Sequence, residues 1–190
     1  MEEFDEDIKN ACRVLNGGGL ILYPTDTVWG IGCDATDEGA VRRVYDLKKR
    51  ADCRAMLVLL DSPAKVERYV REMPDIARDL IELADKPLTV VYSGCRNLAA
   101  NLSGEDGSIG IRVTGEDFSR ELCRAFRKPL VSTSANISGQ PAPSSFGDIA
   151  DEIRRGVDYI VRYRREDKTE HKPSTIIRLG SDNSIRIIRK

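Results

Sequence analysis

Three stretches of this 190-residue chain carry more hydroxyls, charge and glycine than folding alone requires. The first is Tyr23-Pro24-Thr25-Asp26-Thr27-Val28-Trp29-Gly30-Ile31-Gly32-Cys33-Asp34. It is either a tight turn capped by its own threonine hydroxyls or a strand-end loop whose backbone and hydroxyls hold a ligand. It contains neither a GxGxxG dinucleotide fingerprint nor a GxxxxGK[ST] phosphate loop. The second is Lys48-Lys49-Arg50-Ala51-Asp52-Cys53-Arg54, with four cations in seven residues. Cations at a helix C-terminus offset the macrodipole and need no ligand. Alternatively they bind polyphosphate, arginine as a fork and lysine as a point charge. The third is Val131-Ser132-Thr133-Ser134-Ala135-Asn136-Ile137-Ser138-Gly139-Gln140-Pro141. Its hydroxyls and amide either cap a turn or hydrogen-bond the phosphates and sugar of a ligand.

The remaining reactive side chains are sparse. His171 is the one histidine, which weakens every mechanism that needs two, including the common zinc sites. No GxSxG elbow is present, so a serine nucleophile would have to recruit His171 as its base. Cys12, Cys33, Cys53, Cys95 and Cys123 are scattered without a CxxC pair. An odd, dispersed set reads as free thiols filling the core, with Cys33 the one nearest the first stretch.

The elements that must position these stretches follow from periodicity and punctuation. Ile8, Ala11, Cys12 and Leu15 mark a helix over 5–16 that stops at Gly17-Gly18-Gly19. Residues 20–23 form a buried strand ended by Pro24. Thr36 is the candidate N-cap of a helix carrying Ala40, Val41, Val44, Tyr45 and Leu47. A strand over 56–60 precedes a helix opened by Ser62-Pro63 and running to Met73, and Pro74 begins another to Ala84. Strands are expected over 88–92, 109–113 and 129–133, with a helical stripe of Phe118, Leu122, Cys123 and Phe126 between the last two. Ile149 and Ile153 mark a helix, 158–162 a strand, and 174–179 with 184–189 a closing hairpin. Residues 162–172, almost all polar or charged, read as an exposed loop. Strands alternate with helices while some strand pairs have short links, so the expected fold is a mixed-sheet α/β domain.

Composition narrows the functional classes. Thirty Lys+Arg against 31 Asp+Glu leave a net charge of −1, which excludes a globally basic nucleic-acid coat but leaves room for a local basic site. No apolar run approaches the roughly 20 residues of a membrane span. The N-terminus is acidic where a secretory signal is basic and then apolar, so the expected location is cytoplasmic.

The ordered set of motifs resembles the YrdC/Sua5 family, the threonylcarbamoyl-AMP synthases. It runs from Gly17-Gly18 through an apolar strand to YPTDTVWGIGCDA at 23–35. It continues with K-x-R at Lys48 and Arg50, IGIRV at 109–113, STSANISG-x-P at 132–141 and STII at 174–177. The resemblance covers nearly the whole chain. It implies one YrdC-like domain over 1–190, a twisted mixed sheet with flanking helices around a large basic cavity, and no C-terminal Sua5 domain. It also implies a nucleotidyltransferase that forms threonylcarbamoyl-adenylate and pyrophosphate from L-threonine, bicarbonate and ATP, for t6A modification of tRNA. Mg2+ is expected with the ATP and no protein-bound metal is expected. tRNA and separate t6A transferase proteins are the implied partners, with no membrane.

Residue by residue, the resemblance implies L-threonine contacts at Thr27, Arg112, Ser132 and Ser174. It implies ATP contacts at Lys48, Arg50, Arg54, Ser108, Ser134, Asn136 and Arg189, with Lys48 and Arg50 as the catalytic pair on the phosphates. His171 is then either a surface residue or one that closes over the adenylate. Three positions depart from the family pattern. Trp29 replaces tyrosine, Arg54-Ala55-Met56 replaces polar-Pro-Leu, and Leu59 replaces a histidine or other polar residue near the threonine. The competing readings are a non-catalytic RNA-binding YrdC-like module and a YciO-like paralogue. A hydrogenase-maturation role would bring acylphosphatase and zinc-finger segments, and neither is visible.

Overall fold

The computed structural model describes residues 4–49, 56–167, 169 and 173–190. Five α-helices are described: α1 (Asp5–Asn16), α2 (Glu38–Lys48), α3 (Ile76–Glu82), α4 (Asp117–Phe126) and α5 (Asp151–Gly156). Nine strands join them: β1 (Ile21–Tyr23), β2 (Gly30–Gly32), β3 (Leu57–Leu60), β4 (Leu88–Tyr92), β5 (Ile109–Val113), β6 (Leu130–Ser134), β7 (Tyr159–Ile160), β8 (Thr175–Leu179) and β9 (Ile185–Arg189). They form one sheet in the order β7-β1-β2-β6-β3-β5-β4-β8-β9. The pairs β1·β7, β3·β5 and β4·β8 are parallel and the other five antiparallel, so the sheet is mixed as expected.

The two faces of the sheet have different fates, because alternate residues of a strand point to opposite sides. One face is apolar along its length. Leu22, Ile31, Val58, Val90, Ile111, Val131 and Ile177 pack there against α2 and α5, with Val66 and Ala77 closing the far end. The other face is covered by helices only over part of its area. There Ile21, Tyr23, Leu59 and Leu130 meet Ala11 and Leu15 of α1 and Phe118, Leu122 and Phe126 of α4. Each buried Leu or Phe contributes roughly 1.5–3 kcal/mol, enough to fix α1 and α4 at one end. The rest of that face is left open.

Three local expectations are corrected. Gly30-Ile31-Gly32 is a strand rather than part of a loop, held between β1 and β6. Gly32 is needed there because a Cβ would lie 2.7 Å from the Tyr23 ring. The α2 N-cap is Asp37, whose carboxylate accepts from the backbone N–H groups of Gly39 and Ala40 at 2.8 and 3.1 Å. Thr36 instead donates its own N–H and hydroxyl to Asp34. The helix expected from Ser62 to Met73 is a 3-10 turn over Pro63–Arg68. It stops because the next residues find other partners: Arg71 N–H donates to Gly94 O at 2.8 Å and Arg96 N–H to Tyr69 O at 2.9 Å.

Candidate active site

The uncovered part of the second face is the floor of a cavity of about 450 Å³. Register explains which side chains reach it. Leu57 opposes Ser132, and Arg112 lies opposite both Leu59 and Thr89. Polar residues at alternate positions of β4, β5 and β6 therefore share this face with the apolar cluster under α1 and α4. Gly110 keeps the floor low, since a Cβ there would sit 3.3 Å from the Thr89 methyl. The loop 24–29 forms one wall and the β8–β9 hairpin the other.

The first wall is organised by Thr25. Its hydroxyl donates to Val28 O at 2.7 Å and accepts from the Thr27 N–H at 3.0 Å. A hydroxyl has one proton to give, and Val28 O takes it. The 3.0 Å contact between the two threonine hydroxyls is therefore donated by Thr27. The Thr27 oxygen keeps its acceptor capacity, which suits an ammonium or amine donor in the cavity it lines.

Among the described residues three arginines, Arg112, Arg178 and Arg189, line the cavity. Arg112 is 3% exposed and pairs through Nη2 with Asp26 Oδ1 at 3.0 Å, while its Nε has no hydrogen-bond partner among the described residues. Arg189 donates through Nε and Nη2 to Ser174 O at 3.2 and 3.0 Å. Burial, and next the like charge of Arg112, pull Arg189 below its ordinary pKa. Ser174 Oγ lies 2.8 Å from Thr89 Oγ1. On the same wall Arg178 pairs closely with Asp106, which also accepts from the Ser108 N–H at 3.1 Å. Hydrogen bonds from Ser108, and then Arg178, hold the Asp106 carboxyl well below the usual range.

Of the residues implied from sequence, Thr27, Ser108, Arg112, Ser132, Ser134, Ser174 and Arg189 all line this one cavity. Lys48 and Asn136 sit behind its wall. Lys48, 2% exposed at the end of α2, donates Nζ to Ser134 O in a close contact and to Asn136 O at 2.7 Å. Its own carbonyl accepts from the Ser138 N–H at 2.8 Å. Asn136 donates Nδ2 to Ile137 O and Gln140 O, and its buried Oδ1 has no partner among the described residues. Arg50, Arg54 and His171 lie outside the described residues.

The departures from the family pattern also find places. Leu59 is fully buried in the cluster under α4, and Trp29 packs on Phe146 with ring centroids 4.9 Å apart. Cys33 is buried, and burial, with Asp34 next, pushes its thiol pKa up. Thr89 and Arg178 line the cavity without having been singled out from sequence. The one available signal was a polar residue at an alternate position of an otherwise apolar strand. No helix of the described residues is long and apolar enough to cross a membrane.

The comparisons with known proteins agree with this geometry. The profile of the Sua5/YciO/YrdC family, described as "Telomere recombination", matches residues 13–190, and the chain belongs to that family. It is 35% identical over 158 residues to a threonylcarbamoyl-AMP synthase of Stenotrophomonas maltophilia, covering 81% of this chain and 84% of that one. The structure of P. abyssi Sua5 complexed with L-threonine matches with a TM-score of 0.85 and 25% identity. That match covers 97% of this chain and 54% of that protein, so this chain spans about half of its length. E. coli YciO matches with a TM-score of 0.84 over 97% of this chain and 89% of that one, at 24% identity, a likeness of fold.

Proposed function

We propose that this protein is a threonylcarbamoyl-AMP synthase, a nucleotidyltransferase that joins L-threonine, bicarbonate and ATP. The observation that carries the reading is convergence. Seven residues drawn from five separate sequence segments line a single cavity with the buried guanidinium of Arg112, the guanidinium of Arg189 on its wall and a ring of hydroxyls. The chemistry suits that lining. The threonine amine and bicarbonate form an N-carboxylate with loss of water. One of its oxygens then attacks the α-phosphorus of ATP, and the bond to the bridging oxygen of pyrophosphate breaks. Two anions must meet, so the task of the protein is neutralisation and alignment, without a covalent nucleophile.

In this reading Arg112 takes the threonine carboxylate, Thr27 accepts from the amine, and Ser132 and Ser174 complete the threonine subsite. Ser108, Ser134 and Arg189 face the nucleotide, joined by Arg50 and Arg54. Lys48 and Asn136 serve the same side by shaping the Ser134–Asn136 backbone. Magnesium enters as part of the nucleotide substrate, on its phosphates. The cavity offers guanidinium and hydroxyl donors, which suit phosphate oxygens better than a resident cation. The adenylate product would pass to separate transferases acting on tRNA in the cytoplasm.

The test is pyrophosphate release from ATP and bicarbonate with and without L-threonine, with the adenylate identified by rapid mass spectrometry. Release that depends on threonine and bicarbonate, and is lost in Arg50→Ala and Arg112→Ala, is the expected result. Folded protein that binds tRNA in a salt-dependent way but releases no pyrophosphate would replace this reading with the RNA-binding one.

A further inference from the structure

Residues 162–167, which follow β7, are not explained by the substrates, yet they are firmly held. Asp7, buried in α1, accepts from the backbone N–H groups of Arg162 and Tyr163, both at 2.9 Å. The Tyr163 ring packs against Phe4 and Phe118 at centroid distances of 5.1 and 5.7 Å. The next residue, Arg164, adopts a left-handed φ of 60°. That region is unfavourable for a long side chain, and residues held there by their surroundings cluster at functional sites. The turn sends the guanidinium inward, to a side chain only 18% exposed. Nε and Nη2 grip Asp167 Oδ2 at 2.9 and 2.8 Å. Nη1 lies 3.7 Å from Glu116 Oε1 at the start of α4 and donates to Thr25 O at 3.2 Å.

Thr25 is the residue that organises Thr27. We propose that Arg164 is a positioning residue for the threonine subsite, clamping the Thr25 carbonyl so that the Thr27 oxygen is held as an acceptor facing the cavity. This rests on the synthase reading, because it assigns Thr27 to threonine. Arg164 does not touch the substrate. It acts through the backbone of loop 24–28, with Asp167 and Glu116 holding the guanidinium in place.

Arg164→Gly separates the side chain from the backbone, since glycine takes the left-handed conformation without strain. Calorimetric titration with L-threonine and with ATP, on wild type, Arg164→Gly and Arg164→Lys, reads the effect. A hydrogen bond from a charged donor is worth roughly tenfold or more in an equilibrium constant. Arg164→Gly should therefore weaken threonine by about tenfold and leave ATP within about twofold. Arg164→Lys, which keeps the charge but loses the fork, should fall between. In turnover the KM for threonine should rise while the KM for ATP stays. Threonine affinity unchanged in Arg164→Gly, or an equal loss for both ligands, overturns the proposal. A wild-type protein that neither binds threonine nor releases pyrophosphate with it refutes the synthase reading itself, which is a different outcome from a working wild type and an indifferent variant.

Discussion

Removing Asp26 should unbalance the site in a measurable way. Arg112 is buried, its charge is met by Asp26 at 3.0 Å, and the side chain of Asp26 is only 11% exposed. Asp26→Asn keeps the shape and deletes the charge, leaving Arg112 uncompensated beside Arg189. Breaking one partner of a buried ion pair costs roughly 3–5 kcal/mol. For a chain of this size that lowers the thermal midpoint by roughly 6–20 °C. Arg112→Met takes the guanidinium away from the Asp26 carboxylate and should also destabilise the fold. The double variant Asp26→Asn/Arg112→Met removes both charges and should cost less than either single change, because replacing a whole buried pair with an apolar group is often close to neutral. Calorimetric melting of the four proteins closes the cycle. A second readout uses the ligand. L-threonine should raise the midpoint of Asp26→Asn by more than that of wild type, since its carboxylate supplies the missing anion. Single-variant costs that simply add in the double variant, or a threonine shift no larger in Asp26→Asn than in wild type, would refute the reasoning.

Three further outcomes are expected. Lys48→Met leaves Ser134 O and Asn136 O without their ammonium donor and should cost about 1–3 kcal/mol. It should weaken ATP and AMP alike in equilibrium binding, whereas a direct ligand of the β- or γ-phosphate would lose ATP and spare AMP. Asp106 has a depressed carboxyl pKa in the folded chain, so its contribution to stability is present above about pH 4 and is lost as the pH falls further. The difference in thermal midpoint between wild type and Asp106→Asn, present at neutral pH, should therefore close on acidification. Cys33 and Cys123 are buried and their thiols are pushed well above the ordinary range by burial. Maleimide labelling mapped by mass spectrometry should leave both unmodified in native protein and label both after unfolding.

Where a single element carries its own pattern, the sequence discloses it. The stripe Phe118, Leu122, Cys123, Phe126 becomes the buried face of α4, and 88–92 and 109–113 become β4 and β5 with the expected bounds. What escapes is structure that depends on a partner. Gly30-Ile31-Gly32 has no alternating apolar pattern and is a strand because β1 and β6 lie on either side of it. The turn after Pro63 ends early because residues 94–96 compete for its backbone. The site shows the same divide. Stretches 23–34 and 131–141 stand out by composition, but Thr89 is a lone polar residue in an apolar run, and its place in the site is fixed by its 2.8 Å contact with Ser174. The direction of the Lys48 ammonium group, toward carbonyl oxygens behind the cavity wall, is likewise a tertiary fact that no spacing rule contains.

A chain of net charge −1 makes a cationic cavity by where it places its anions. Asp34 is engaged by Lys128, Asp61 by Lys65 and Asp158 by Arg43, all outside the cavity lining. Asp7 is turned to the backbone of 162 and 163. Around the site, among the described residues, Asp26 is paired with Arg112 and Asp106 with Arg178, and Arg189 has carbonyl and hydroxyl oxygens of Ser174 for company. Burial first, and the like charge of Arg112 second, lower the pKa of Arg189, so placing two guanidinium groups on one cavity carries an electrostatic cost. The low dielectric that makes this arrangement unfavourable when empty also strengthens its hold on an anion. On the synthase reading, a substrate carboxylate and a triphosphate bring to this cavity the anions that the fold has placed elsewhere, and the arginines that repel one another are the ones that receive them.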